Sequence, residues 1–184
     1  ERDRTHELHH ILQDLDIAPG LAVRIYKQYG EQSLSVVQAT PYRLADEIYA
    51  QQPTMLASIL ALPRMGVDMA QLEVVVHILL VTFQAMKLSG HQWPLVTEDI
   101  QDGCLQRLTA SARFTEGLPQ ELATKVVEQF HNEHAERFLL AFVYGHLREH
   151  DLMAVRTEAE KYLMLGALNL VECVAFVGAD KPQR

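Results

Sequence analysis

The sequence predicts an all-α protein, on three observations. Apolar residues recur at helical spacing along nearly the whole chain. The period-two alternation of a half-buried strand is absent, and so are tight hairpin turns of the Asn-Gly kind. Prolines, glycines and capping residues stand at intervals that start and stop helices.

A first helix is expected over Arg4–Leu15, where Leu8, Ile11, Leu12 and Leu15 form one apolar stripe. Asp16-Ile17-Ala18-Pro19 makes a turn. Pro19 suits the opening of a second helix, because its missing N–H would have no helical partner there. Gly30 stands where that helix should stop. A short helix over 32–38 follows, and Thr40-Pro41 supplies a cap and a proline to open a fourth, running to Ala50. Pro53 and Pro63 bracket a short helix through Met55, Leu56, Ile59 and Leu60. Asp68 can cap a long helix ending near Gly90. It carries Leu72, Val75, Val76, Leu79, Leu80 and Phe83, with Val74, Ile78 and Val81 on its other sides, and so reads as a central, enclosed element. Gly90-His91-Gln92-Trp93-Pro94 reads as a loop, after which Thr97 starts a helix with Glu98 and Asp99 in its first turn. Glu116-Gly117-Leu118-Pro119 separates that helix from a long segment reaching roughly His150. Thr157 and Glu160 have the spacing of a capping box, and the last helix runs from there to Val177, ahead of a polar tail over 178–184.

The 184 residues can bury a real core, as one domain or two small ones, with 48% hydrophobic and 22% charged residues. The apolar stretches Leu72–Phe83, Phe138–Tyr144 and Tyr162–Val177 are short or interrupted by Glu73, His77, Asn169 and Glu172, so no membrane span is expected. No basic leader with an apolar core and a small-residue cleavage site is visible. Cys104 and Cys173 have no partner at metal or redox spacing, which suits buried thiols in a reducing cytoplasm. The net charge of −8 argues against a general polyanion binder. Lys/Arg against Asp/Glu number five against eight over residues 1–50, two against four over 51–100, and nine against twelve over 101–184. No part is basic, so a nucleic-acid contact has to be local, weak or shared with another domain.

Ile17-Ala18-Pro19-Gly20-Leu21-Ala22-Val23-Arg24-Ile25-Tyr26-Lys27-Gln28-Tyr29-Gly30, continued by Pro41-Tyr42-Arg43-Leu44-Ala45-Asp46-Glu47-Ile48, resembles the helix-hairpin-helix segment of RecD-type DNA helicases. The specific feature is the spacing from the Tyr-Gly end of one helix to the Pro-Tyr-Arg-Leu-Ala start of another. The resemblance covers residues 5–50 and continues more faintly through Met65-Gly66-Val67 and the long apolar helix to Gly90-His91; beyond about residue 105 nothing resembles the family. Two departures stand out. Tyr49-Ala50-Gln51-Gln52-Pro53-Thr54-Met55 lacks the Gly-Ile-Gly-type turn of the family's second hairpin. Nor does Gly-Lys ever precede a hydroxyl residue, as the phosphate loop of the family's ATPase core requires. The resemblance therefore implies an accessory module with no motor of its own. It also implies a DNA contact at Ala18, Pro19, Gly20 and Leu21, where turn and helix-start N–H groups meet a phosphate at the positive end of the helix dipole. Gly20 lets the backbone approach closely, and Arg24 and Lys27 lie on the same face of the second helix, able to straddle neighbouring phosphates. Such contacts fix position without reading sequence. The alternative is that the hairpin is a packing or protein-docking surface, with Asp14 and Asp16 beside its turn.

Other patterns are weaker. His146-Leu147-Arg148-Glu149-His150 has the His-x-x-Glu-His spacing of inverted zinc peptidases, but the remaining candidates for a third ligand, Glu158, Glu160 and Glu172, sit on a single apolar helix. Glu7-x-x-His10 and Glu128-x-x-His131 have di-iron spacing without the further inward glutamates such a site needs. Glu128, His131, Glu133, His134 and Glu136 read as a solvated helix face. His77 reads as a core histidine, Trp93 as a tryptophan capping the core, and the two cysteines as packing residues. The expectation is thus a helix-hairpin-helix module over residues 1–50 followed by an irregular helical bundle over 51–184. It has no catalytic residues, metal or cofactor. It binds the DNA backbone (duplex or fork), has a protein partner or helicase core as a possible second contact, and sits in the cytoplasm rather than a membrane.

Overall fold

The computed structural model describes residues 41–89 and 92–179, all of whose regular structure is helical. The helices expected over Arg4–Leu15, from Pro19 to Gly30 and over 32–38 lie outside the described residues. The chain falls into two units that meet at Ala50 and Gln51.

The first unit contributes α1 (Pro41–Gln51). Proline opens it, where no helical N–H bond is lost. Ala45 and Ile48, three residues apart on one face, are buried, while Asp46 and Tyr49 are exposed.

The second unit holds α2 (Pro53–Leu60), a 3-10 turn (Leu62–Met65), α3 (Met69–Leu88), α4 (Glu98–Glu116), α5 (Gln120–Glu133), α6 (Arg137–Glu149) and α7 (Glu158–Gly178). Its axis is the pair α3 and α7, with α7 packing on α4, α3 and α6, and α2 on α3. Both helices are apolar almost all round. Leu72, Val75, Ile78, Leu79 and Phe83 of α3 and Leu163, Ala167, Val171 and Cys173 of α7 are essentially inaccessible. By length and hydropathy alone either could cross a membrane. Burial of 67% of the apolar window of α3 inside the fold marks that helix as core, and α7 packs along it with 44% buried.

The helix ends follow from local chemistry. Asp68 Oδ1 accepts from Gln71 N at 2.8 Å, and the Gln71 side chain accepts from Asp68 N, a reciprocal box that satisfies two donors with no helical acceptor. Thr157 and Glu160 repeat the device at α7, where Glu160 Oε2 accepts from Thr157 N (3.0 Å) and Arg156 N (2.6 Å). Thr97 caps α4 through its hydroxyl. Gly66 closes the 3-10 turn at φ +90, a left-handed conformation that costs glycine nothing.

The segment after Pro119, expected to be one run to His150, is two helices. The break falls at His134, whose backbone is extended (φ −61, ψ 130). The ring replaces the lost helical bonds: Nδ1 accepts from Glu136 N at 3.1 Å, and Nε2 lies 3.2 Å from Glu172 Oε1 on α7.

Candidate functional site

Ala18, Pro19, Gly20, Leu21, Arg24 and Lys27 lie outside the described residues, so the geometry of the expected phosphate-binding turn is not described. What is described is the scaffold that follows it in sequence. A single residue, Gln52, separates α1 from α2, and it is buried despite its polarity. Its amide acts as a backbone surrogate: Nε2 donates to Pro94 O at 2.9 Å and Oε1 accepts from Val96 N at 2.9 Å. The Thr54 hydroxyl bonds Val96 O beside it. The chain leaving α3 is thereby tied back to the start of α2. Trp93 completes that tie, its indole N–H donating to Met86 O (2.7 Å) and to Ser89 Oγ (3.0 Å) at the end of α3.

A polar cluster lies among α5, α6 and α7. At its centre is the His134–Glu172 pair, whose side chains are only 6% and 18% exposed. Because His134 Nδ1 accepts from the Glu136 N–H, the neutral ring carries its proton on Nε2 and donates it to the Glu172 carboxylate. The face expected to be solvated is therefore solvated only in part: Glu128 and Glu133 are exposed, whereas the His134 ring is inside. The His131 ring packs at a tilt against that of Tyr144, their centroids 4.6 Å apart. Burial, and then the neighbouring His134, push the His131 pKa below its ordinary value; burial, and then Glu172, raise that of Tyr144. Glu128 and His131 gain no further carboxylates, and among the described residues no group of three or more His, Cys, Asp and Glu side chains is placed to hold a metal.

The His-x-x-Glu-His residues divide by burial but stay in contact, the rings of His146 and His150 meeting edge to face at 4.7 Å. His146 is buried against the ring of His77 (4.4 Å) and stacked on Phe142 (5.6 Å), while Glu149 and His150 are exposed. Glu149 Oε2 approaches His146 Nδ1 only to 3.8 Å. His77 joins this ring cluster and is half-buried, less enclosed than a core histidine. Cys104 on α4 and Cys173 on α7 are both buried, free, and side by side. Spacing in the sequence gave no sign of that meeting.

Comparison with known families supplies what the described geometry leaves open. Residues 1–93, half of the 184-residue chain, match the family described as the ATP-dependent RecD2 DNA helicase HHH domain. The chain belongs to that family. No curated protein and no solved structure matches it. The matched stretch takes in the expected hairpin at residues 17–30, α1, α2, the 3-10 turn and α3, and ends at Trp93, the residue that seals the end of α3. The RecD2 HHH match thus crosses the junction at Ala50 and Gln51 and includes one of the two core helices of the second unit. Such a domain is itself non-catalytic, and α4 to α7 lie beyond the match.

Proposed function

We propose that this chain is an accessory module that holds DNA by its backbone, without reading sequence, through the helix-hairpin-helix of residues 1–50. The family match over residues 1–93 carries this reading, because it spans a segment whose chemistry suits a phosphate. Ala18-Pro19-Gly20-Leu21 supplies turn and helix-start N–H groups, and Arg24 and Lys27 supply paired cations on one helical face. Duplex or forked DNA is the ligand, and the setting is cytoplasmic. The chain contributes no catalysis, cofactor or metal of its own, so any motor acting with it sits elsewhere.

Fluorescence anisotropy on labelled single-stranded, duplex and forked DNA tests this beside an Arg24→Glu/Lys27→Glu variant. Salt-sensitive binding that the variant loses supports the reading. Absence of binding at low salt removes it.

A second reading, an interaction module, draws support from α5. The helix is amphipathic, yet none of its residues is buried; Leu122 is 50% exposed and Val127 40%. Phe114 and Phe138, near its two ends in sequence, are exposed as well. Apolar surface of this kind is what a protein partner or a helicase core would cover.

A further inference from the structure

Sixty-nine residues separate Cys104 from Cys173, and the packing of α7 along α4 brings their thiols together. Both are buried, at 0% and 1% exposure. They differ in their surroundings. Cys104 Sγ accepts a hydrogen bond from Arg107 Nη2 at 3.1 Å, and Arg107, itself an exposed residue, lays its guanidinium over the Phe176 ring at 4.9 Å. Cys104 Sγ thus meets a side chain that itself reaches the surface. Cys173 lies on the core helix behind it.

We propose that Cys104 and Cys173 form an oxidation site, converted by a hydroperoxide into an intramolecular disulfide that ties α4 to α7. Cys104 is the first sulfur to react, since the adjacent guanidinium favours its thiolate. Its thiolate attacks one oxygen of hydrogen peroxide: an S–O bond forms, the O–O bond breaks, and the second oxygen leaves as hydroxide, which takes up the thiol proton to become water. Cys173 then attacks the sulfenic sulfur: an S–S bond forms, the S–O bond breaks, and the hydroxyl departs with the Cys173 proton as a second water. Two thiols have lost two electrons and two protons, and one peroxide has become two waters. Burial raises both thiol pKa values, that of Cys173 most, so the reaction is slow near neutrality and accelerates as pH rises.

The test treats the folded full chain with hydrogen peroxide and follows intact mass, free thiols and linked peptides. The expected result is loss of both thiols together, a mass lower by two hydrogens, a peptide pair joining Cys104 to Cys173, a monomeric product, and a raised Tm that dithiothreitol returns to its starting value. In Cys173→Ala the reaction stops at a Cys104 sulfenic acid that dimedone captures. In Cys104→Ala the remaining thiol resists. Should either variant fail to fold, the mass and peptide map of the unsubstituted chain decide by themselves. Independent oxidation of each cysteine, intermolecular dimers, or reaction only after unfolding would each overturn the proposal.

Discussion

His134 makes the break between α5 and α6 and fastens it to the core with the same ring. Removing the carboxylate it faces strands a buried donor, which costs about 1–3 kcal/mol. Glu172→Ala is therefore expected to lower unfolding stability by an amount in that range, read from urea denaturation, and a His134→Ala/Glu172→Ala double variant should lose less than the two single losses added. His131 gives a pH signature. Its folded-state pKa is depressed from the ordinary 6.5, so the unfolded chain takes up the proton first. Its contribution is complete above about 6.5 and is lost as pH falls through the folded-state value. Thermal melts from pH 7.5 down to 5 should show a shallower acid decline in His131→Gln than in the unsubstituted chain; equal slopes would discount His131. Little of this was legible beforehand. Glu128, His131 and Glu133 have the spacing of a wet helix face, and nothing local marks His134 as the residue that meets Glu172, 38 positions away. The meeting of Cys104 and Cys173 was hidden for the same reason.

Helices were legible where their ends carry their own chemistry. The boxes at Asp68 and Thr157, the Thr97 cap and the prolines at the starts of α1 and α2 satisfy or remove local donors, so sequence alone located those ends. The α5–α6 break was not legible because the Glu136 N–H is satisfied by the ring of His134 at the break itself, and that ring is held by Glu172 on another helix. The loop after α3 was expected, but the Gln52 clamp that shapes it joins residues more than forty positions apart. Thr157→Ala removes one cap and is expected to cost about 1 kcal/mol. Gly66→Ala has room for the added methyl, whose nearest neighbour would be Ala159 Cβ at 3.7 Å. The φ of +90 nevertheless makes the substitution cost roughly 1–2 kcal/mol. Both losses are readable as shifts of the denaturation midpoint with unchanged slope.

For the molecule as a whole, sequence reading reached the fold class and the family. The all-α character rests on periodicity that tertiary packing did not override, and the family rests on residues 17–30 and 41–48, within the matched stretch 1–93. With an overall charge of −8, the proposed DNA contact needs a local patch, for which Arg24 and Lys27 are the proposed cations. The most direct measurement is the salt dependence of duplex binding for the unsubstituted chain and for Arg24→Ala/Lys27→Ala. Two lost phosphate contacts predict that the slope of log K against log salt becomes shallower by about 2, with weaker binding on every sequence tested. An unchanged slope and affinity in the variant would contradict a DNA contact at this hairpin.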